Sequence, residues 1–514
     1  MIRWGLALTL LAAPAAALAI DIVEQPIDAL AAEMAAGRTS AVALVKAYQA
    51  RIAKIDSKLH AVIAVDPDAL AQARTLDAER KAGRVRGPLH GVPILIKDNI
   101  ESAGTLPTTA GSIALAHNVT GRDAPVVARL RAAGAIILGK TNLSEWANFR
   151  SLKSTSGWSA VGGLTHNPYA LDRNPCGSSA GSGAAAAASL AAATIGTETD
   201  GSIVCPSSLN GLVGLKPTVG LVSRTHIIPI SARQDTAGPM GRSVRDVALL
   251  LGAMAGSDAA DPATTQSDAH KIDYAAALDA GALKGKRIGV MRFAAGFHPA
   301  VDALFDNAIA DLKKGGAEIV EIPAFDLRPI RAITRDLLSA EFKEGINAYL
   351  ASTDPSEVPS RNLTALIAFN KAHADAEMPW FGQEIFGFAE AAKPVTDPAV
   401  QKDAATATRL AGVEGIDAML AKDRLDALIA PTNPPAWPSD LVNGGGASGG
   451  GASTLPAVAG YPHLTVPMGP VKGLPVGLSF IGPAWSEAKL LAIGYAYEQA
   501  THRREPPRYL ASVP

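Results

Sequence analysis

The chain has 514 residues, of which 48% are apolar and 18% charged. That supports a sizeable core and argues against wholesale disorder. The formal net charge of -1 offers no basic field for nucleic acid and no polybasic patch for a membrane, so a small or neutral substrate is the expected partner. Two cysteines, Cys176 and Cys205, exclude a multi-cysteine zinc site, and the 10 histidines show no paired metal-ligand spacing. No cofactor or metal is expected.

Residues 1–19 read as a signal peptide. Arg3 is the charged n-region, Trp4 to Ala16 the apolar stretch, and Ala17-Leu18-Ala19 the cleavage site. With Pro14 inside it, the apolar run is short for a membrane span. The protein is therefore expected to be exported, periplasmic or secreted, with no stable membrane association. The mature domain would run over 20–514.

Gly37 closes a first helix, and Thr39 or Ser40 caps the next, which carries Leu44, Val45, Tyr48, Ile52 and Ile55 on one stripe. Val92 to Ile96 is a continuous apolar run that predicts a buried strand, with Lys97 at its end. A helix over Ala124 to Ala133 stops at Gly134, and Ala135 to Leu138 predicts another buried strand. Further strands are expected at Arg287 to Met291, Leu425 to Ala430, Tyr461 to Met468 and Pro475 to Ile481, with a mostly helical stretch from about Pro299 to Leu428. Buried strands alternating with helices predict an α/β fold with a parallel or mixed sheet. The segment Asn443 to Ser453 is almost all glycine, alanine and serine. It reads as a mobile loop within one domain, because strands follow it.

Two Gly/Ser clusters carry the chemistry: Asn174-Pro-Cys-Gly-Ser-Ser-Ala-Gly-Ser-Gly183 and Gly196-Thr-Glu-Thr-Asp-Gly-Ser-Ile203. The alanine-rich run from Ala184 to Ala193 suits a helix packed close against backbone. About eleven helical residues rise roughly 16 Å, and a short strand returns a similar distance, so Ser178 and Ser202 can face each other. Successive amides of Thr199, Asp200, Gly201 and Ser202 suit an anion-binding nest, an oxyanion hole for acyl transfer. The first cluster is not a phosphate loop, since no lysine follows its glycines. Gly177-Ser-Ser179-Ala-Gly181 matches the nucleophile elbow of an α/β-hydrolase esterase, with His463 or His502 as partner. That elbow needs a preceding apolar strand, and Tyr169 to Cys176 is rich in turn residues.

These clusters, with Gly91-Val-Pro-Ile-Leu-Ile-Lys-Asp-Asn99, Gly238-Pro-Met-Gly-Arg-Ser-Val-Arg-Asp246, Ala430-Pro-Thr432 and Gly473 to Pro483, resemble the amidase signature family over nearly the whole mature chain. Within it the chain looks closest to peptide amidases. The commoner family form has glycine at Asp200 and arginine at Val204. The resemblance implies an α/β/α sandwich with a mixed central sheet covered by helices, and a cis peptide before Ser178. It also implies a Ser-Ser-Lys triad: Ser202 as nucleophile, Ser178 as bridge and Lys97 as general base. The residues alone do not separate Lys97 from Lys140 or Lys216. The implied activity is hydrolysis of a carboxamide, in particular the C-terminal amide of a peptide, to carboxylate and ammonia. A broader aliphatic, aryl or fatty-acid amidase is the alternative. An amidotransferase component that modifies charged tRNA fits poorly with a signal peptide, and an inactive exported binding protein fits poorly with an intact triad.

Two points stay open at this level. Small, buried, free thiols are expected at Cys176 and Cys205, although export permits a disulfide. The Asp200 carboxylate either points into the pocket, where it would repel a carboxylate product, or turns away to hydrogen-bond neighbouring backbone.

Overall fold

The computed structural model describes residues 21–446 and 449–513. The expected signal peptide lies outside these residues.

Among the described residues thirteen strands occur in chain order: β1 (Val62–Val65), β2 (Pro93–Lys97), β3 (Ile136–Thr141), β4 (Trp158–Ser159), β5 (Gly163–Leu164), β6 (Ala193–Glu198), β7 (Val213–Lys216), β8 (Thr236–Gly241), β9 (Arg287–Met291), β10 (Glu318–Ile322), β11 (Ala427–Pro431), β12 (His463–Val471) and β13 (Leu474–Ile481). Apart from the β4–β5 ribbon they form one 11-stranded sheet, ordered β1-β3-β2-β6-β8-β7-β12-β13-β11-β9-β10. β2 runs parallel to β3 and β6, and β9 parallel to β10 and β11, while the centre from β6 to β13 is antiparallel. The sheet is therefore mixed, as expected, and helices flank it.

β2, β3, β6, β7, β8 and β11 are buried at every residue, and β2, β3 and β11 accordingly read as largely continuous apolar runs rather than alternating ones. The helix Ala41–Ile55 buries Leu44, Val45, Tyr48 and Ile52, and Ser40 caps it by accepting the Ala43 N–H at 3.2 Å. Residues 299–423 are mainly helical, but β10 interrupts them at the sheet edge; its pattern of exposed glutamates and half-buried Ile and Val belongs to an edge strand. The alanine-rich helix starts earlier than its composition suggested, at Ala180, and ends at Ala187. Its small residues are required by close packing: a Cβ on Gly181 would stand 2.3 Å from the Ala61 carbonyl oxygen and 2.5 Å from that of Asn142. The helix runs back into β6, so the first Gly/Ser cluster and the C-terminal end of β6 meet on one edge of the layer. Among the described residues no helix is long and apolar enough to cross a membrane.

Candidate active site

Lys97 is the last residue of β2, the strand beside β6 in the sheet, and both ends open on the same side because the two strands are parallel. Its amine is completely buried and touches three oxygens: Ser178 Oγ at 2.8 Å, Thr197 Oγ1 at 2.8 Å and the Thr197 carbonyl at 3.3 Å. The Asn99 amide donates to the same Thr197 hydroxyl oxygen at 3.0 Å. Burial pushes the Lys97 amine down to about 7, against the opposing pull of the Asp235 and Glu198 carboxylates. A neutral amine has two N–H donors and one lone pair. With both N–H groups on Thr197, the lone pair is left for the Ser178 hydroxyl proton.

Ser178 follows a cis peptide from Gly177, as the family resemblance implied. Its carbonyl accepts the Ser144 N–H at 3.0 Å. The two clusters are joined by backbone: the Ser179 N–H donates to the Ser202 carbonyl at 3.2 Å. Ser178 is buried and Ser202 half-buried, so the second serine is the one that solvent and substrate reach.

The expected anion nest lies between the end of β6 and the helix Val204–Leu209. Gly201 takes a positive φ of 82°, the reversal that turns successive amides to one side. The Glu198 carboxylate accepts the N–H groups of Ile203 at 2.7 Å and Val204 at 3.0 Å, and that of Gly201 leans toward it. The amides of Thr199, Asp200 and Ser202 form no hydrogen bond among the described residues, so they stay free for an oxyanion.

The surface of Asp200 is solvent-exposed, yet desolvation raises its carboxyl, and the hydroxyls of Ser453 and Thr454 hold it down. It therefore links the nest to the end of the glycine-rich segment. That segment returns along the cleft: Gly444 and Gly445 lie against Lys153 and Ser154, and Ser453 lies against Gly201.

The expectation of free thiols is corrected. Cys176 and Cys205 form a disulfide with Cα atoms 5.9 Å apart. Both are buried, at 7% and 6% exposure, as free thiols would be, but bonded cysteines are equally buried, so burial does not decide. What decides is the backbone link between Ser179 and Ser202, which brings both cysteines within bonding range.

The other lysines are separated from the serines. Lys140 and Lys216 are as buried as Lys97, and burial pushes both down to about 8. Lys140, however, bonds Thr108 Oγ1 and the Ile100 carbonyl, and Lys216 the carbonyls of Pro217 and Tyr461. The esterase elbow is also excluded. No strand leads directly into Ser179, whose hydroxyl donates to the Thr197 carbonyl at 3.0 Å. His463 is buried against Ser479 Oγ at 2.6 Å, and burial pushes its imidazole down to about 3; His502 is exposed. Sequence reasoning missed Thr197 and Asn99 around the amine, and Gln234 and Asp235 beside the nest. A threonine just before the nest was visible, but nothing local marked residues contributed from β8's approach.

Beside the nest lies a cavity of about 220 Å³, walled by Asn99, Thr197, Thr199, Ile228, Ile230 and Asp235.

The family profile described as Amidase matches residues 43–491. The chain belongs to the amidase signature family. It is similar to the native peptide amidase from Stenotrophomonas maltophilia, at 50% identity and a TM-score of 0.89, over 95% of this chain and 99% of that one. A protein of Arabidopsis thaliana named as a probable amidase is 41% identical over 92% of this chain and 89% of its own length. A putative amidase of Schizosaccharomyces pombe is 32% identical over 96% of this chain and 88% of its own length. This amidase is accordingly a hydrolase of amide C–N bonds.

Proposed function

We propose that this amidase hydrolyses the C-terminal carboxamide of peptides through a Ser202 acyl-enzyme, with Ser178 as proton bridge and Lys97 as base. The observation that carries the reading is the contact between the Lys97 amine and Ser178 Oγ at 2.8 Å, on a loop tied by backbone to Ser202. Serine is a poor nucleophile until a base removes its proton, and a desolvated lysine serves when its neutral form is populated near pH 7. Ser202 Oγ bonds to the carbonyl carbon, and its proton passes to Ser178 while that of Ser178 passes to Lys97. The free amides of Thr199, Asp200 and Ser202 bind the oxyanion. The C–N bond then breaks, and the proton returns by the same path to the departing ammonia. Water repeats the sequence on the acyl-enzyme and leaves a carboxylate.

The preference for a peptide amide is supported by the half-identical peptide amidase. We treat residues 20–514 as one catalytic domain, because strands from both ends of the chain share one sheet. Export is supported by the leader-like residues 1–19 and by the disulfide, since such bonds persist in oxidising compartments. Export also speaks against a role beside charged tRNA. The test is a panel of peptide amides, free amino-acid amides and fatty amides with the mature enzyme and its Ser202→Ala variant. Peptide amides should dominate, and preference for a fatty amide would overturn the substrate assignment. Mass analysis of the protein recovered outside the cytoplasm should place its N-terminus at Ile20.

A further inference from the structure

Two consecutive residues just before β8 grip the first residue of the nest. β6 and β8 pair with Glu198 opposite Thr236, so the next positions outward, Thr199 and Asp235, come side by side. The Thr199 hydroxyl donates to Asp235 Oδ1 at 2.6 Å, and Gln234 Nε2 donates to the Thr199 carbonyl at 3.1 Å. Gln234 is 1% exposed, and its own N–H donates to Ser231 Oγ at 3.2 Å. Asp235 is fixed in turn by the amides of Ile230 at 2.7 Å and Ser231 at 2.9 Å.

We propose that Gln234 and Asp235 are positioning residues for the oxyanion hole, setting the plane of the Thr199–Asp200 peptide. The peptide group is planar and trans, so its C=O and N–H point in opposite directions. Holding the Thr199 oxygen toward Gln234 therefore aims the Asp200 N–H away from Gln234 and toward the nest. The hydroxyl bond to Asp235 removes the remaining rotation about the Thr199 backbone. A preorganised donor stabilises a developing oxyanion without reorganising at the moment of reaction, and deleting one such donor costs roughly 100- to 1,000-fold in rate. Misaiming one costs less.

The inference rests on the reading of Ser202 as nucleophile, and the test separates the two. Gln234→Met keeps the side-chain length and removes the donor; Thr199→Val removes the hydroxyl and keeps the shape. Each is assayed on a peptide amide and with two inhibitors of matched sequence. One is a C-terminal aldehyde, which forms a tetrahedral adduct with the serine, and the other is the corresponding alcohol, which does not. In both variants kcat should fall by about 10- to 100-fold with KM within about threefold. Aldehyde affinity should fall by the same factor as kcat, while alcohol affinity stays within about threefold. Unchanged kcat in both variants, or equal weakening of aldehyde and alcohol, overturns the proposal. If Gln234→Met does not fold, Thr199→Val decides alone. An active Ser202→Ala enzyme would instead bring down the reading of the site itself.

Discussion

The buried interior of the sheet and the outer face of the helical layer over residues 328–423 handle charge in opposite ways. In the interior, Lys97, Lys140 and Lys216 are all fully buried, and burial lowers each amine. On the outer face of that layer and at the neighbouring sheet edge cations stand in water, with Arg409 51% exposed beside Glu414 and Arg292 36% exposed beside Asp306 and Glu321, whereas Arg150 is buried where it meets Glu377 of the layer. The helices contribute apolar surface instead, packing Phe342, Ile346, Leu366 and Phe386 against Trp146 and Ile228. Burial makes a lysine available as a base, but three lysines meet that condition. The neighbour decides among them, and of the three it is Lys97 that touches a serine of the Gly/Ser clusters.

The largest effect expected at the centre is that of Ser202→Ala. Amide hydrolysis should fall by about 10⁴-fold or more with the unfolding midpoint nearly unchanged, as for nucleophiles that act as a unit with their base. Full activity in Ser202→Ala, with loss in Ser179→Ala, would move the nucleophile to the neighbouring serine.

Lys97→Met should come next. The enzyme needs the neutral amine, and the amine protonates as pH falls through about 7. Wild-type kcat/KM should therefore rise about tenfold per pH unit below that point and level off above it. Lys97→Met should lose most of the rate and the acid limb with it. Lys140→Met and Lys216→Met, where they fold, should keep the acid limb. A pH profile altered in Lys140→Met but not in Lys97→Met would break the comparison among the three.

How legible these features were depended on how local their causes are. Strands such as Val92 to Ile96 and Arg287 to Met291 were readable because burial on both faces leaves a continuous apolar run. The β8 strand Thr236–Gly241 was not, since Thr-Ala-Gly-Pro-Met-Gly lacks that run and is held by its neighbours β6 and β7. Spacing alone allowed the two Gly/Ser clusters to meet, as the Ser179–Ser202 backbone bond shows, but not the roles of Ser178 and Ser202, which the family resemblance supplied. Lys97 came from family resemblance, because three lysines sat at comparable places. The disulfide and the grip of Gln234 and Asp235 on Thr199 are products of tertiary register, and no spacing within either segment encodes them.

The disulfide ranks third. Removing it as Cys176→Ser with Cys205→Ser opens a cross-link between residues 29 apart, worth roughly 3 to 4 kcal/mol in the chain-entropy account. The denaturation midpoint should drop accordingly. Activity should fall too, since the bond ties the loops of Ser178 and Ser202. Thiol titration of the denatured, unreduced protein should find no free sulfhydryl; two would remove the cross-link from the comparison.

A smaller effect is expected at Asp200, on the exposed side of the nest. Asp200→Asn keeps the backbone amide and removes the charge beside Ser453 and Thr454. If that charge repels the carboxylate product, inhibition by the free-acid peptide should strengthen by a few-fold while kcat stays within about threefold. Unchanged product inhibition would leave the side chain a tether to the glycine-rich segment and nothing more.

The smallest effect belongs to the solvated charges. Arg292 pairs with Glu321 at 2.7 Å and Asp306 at 2.8 Å, and its guanidinium lies 5.4 Å from the centre of the Phe305 ring. On paper that is a richer set of partners than Lys97 has. Both carboxylates, however, are at least half exposed, at 50% and 62%. Water and salt screen such pairs, and holding long side chains in one geometry costs entropy, so exposed pairs contribute about 0 to 1 kcal/mol. Arg292→Ala should therefore leave kcat and KM unchanged and shift the unfolding midpoint only slightly, by less at high salt than at low. A loss comparable to that of the disulfide variant would mean that the edge near β10 is far less solvated than its exposure indicates, and the contrast between centre and periphery would fail there.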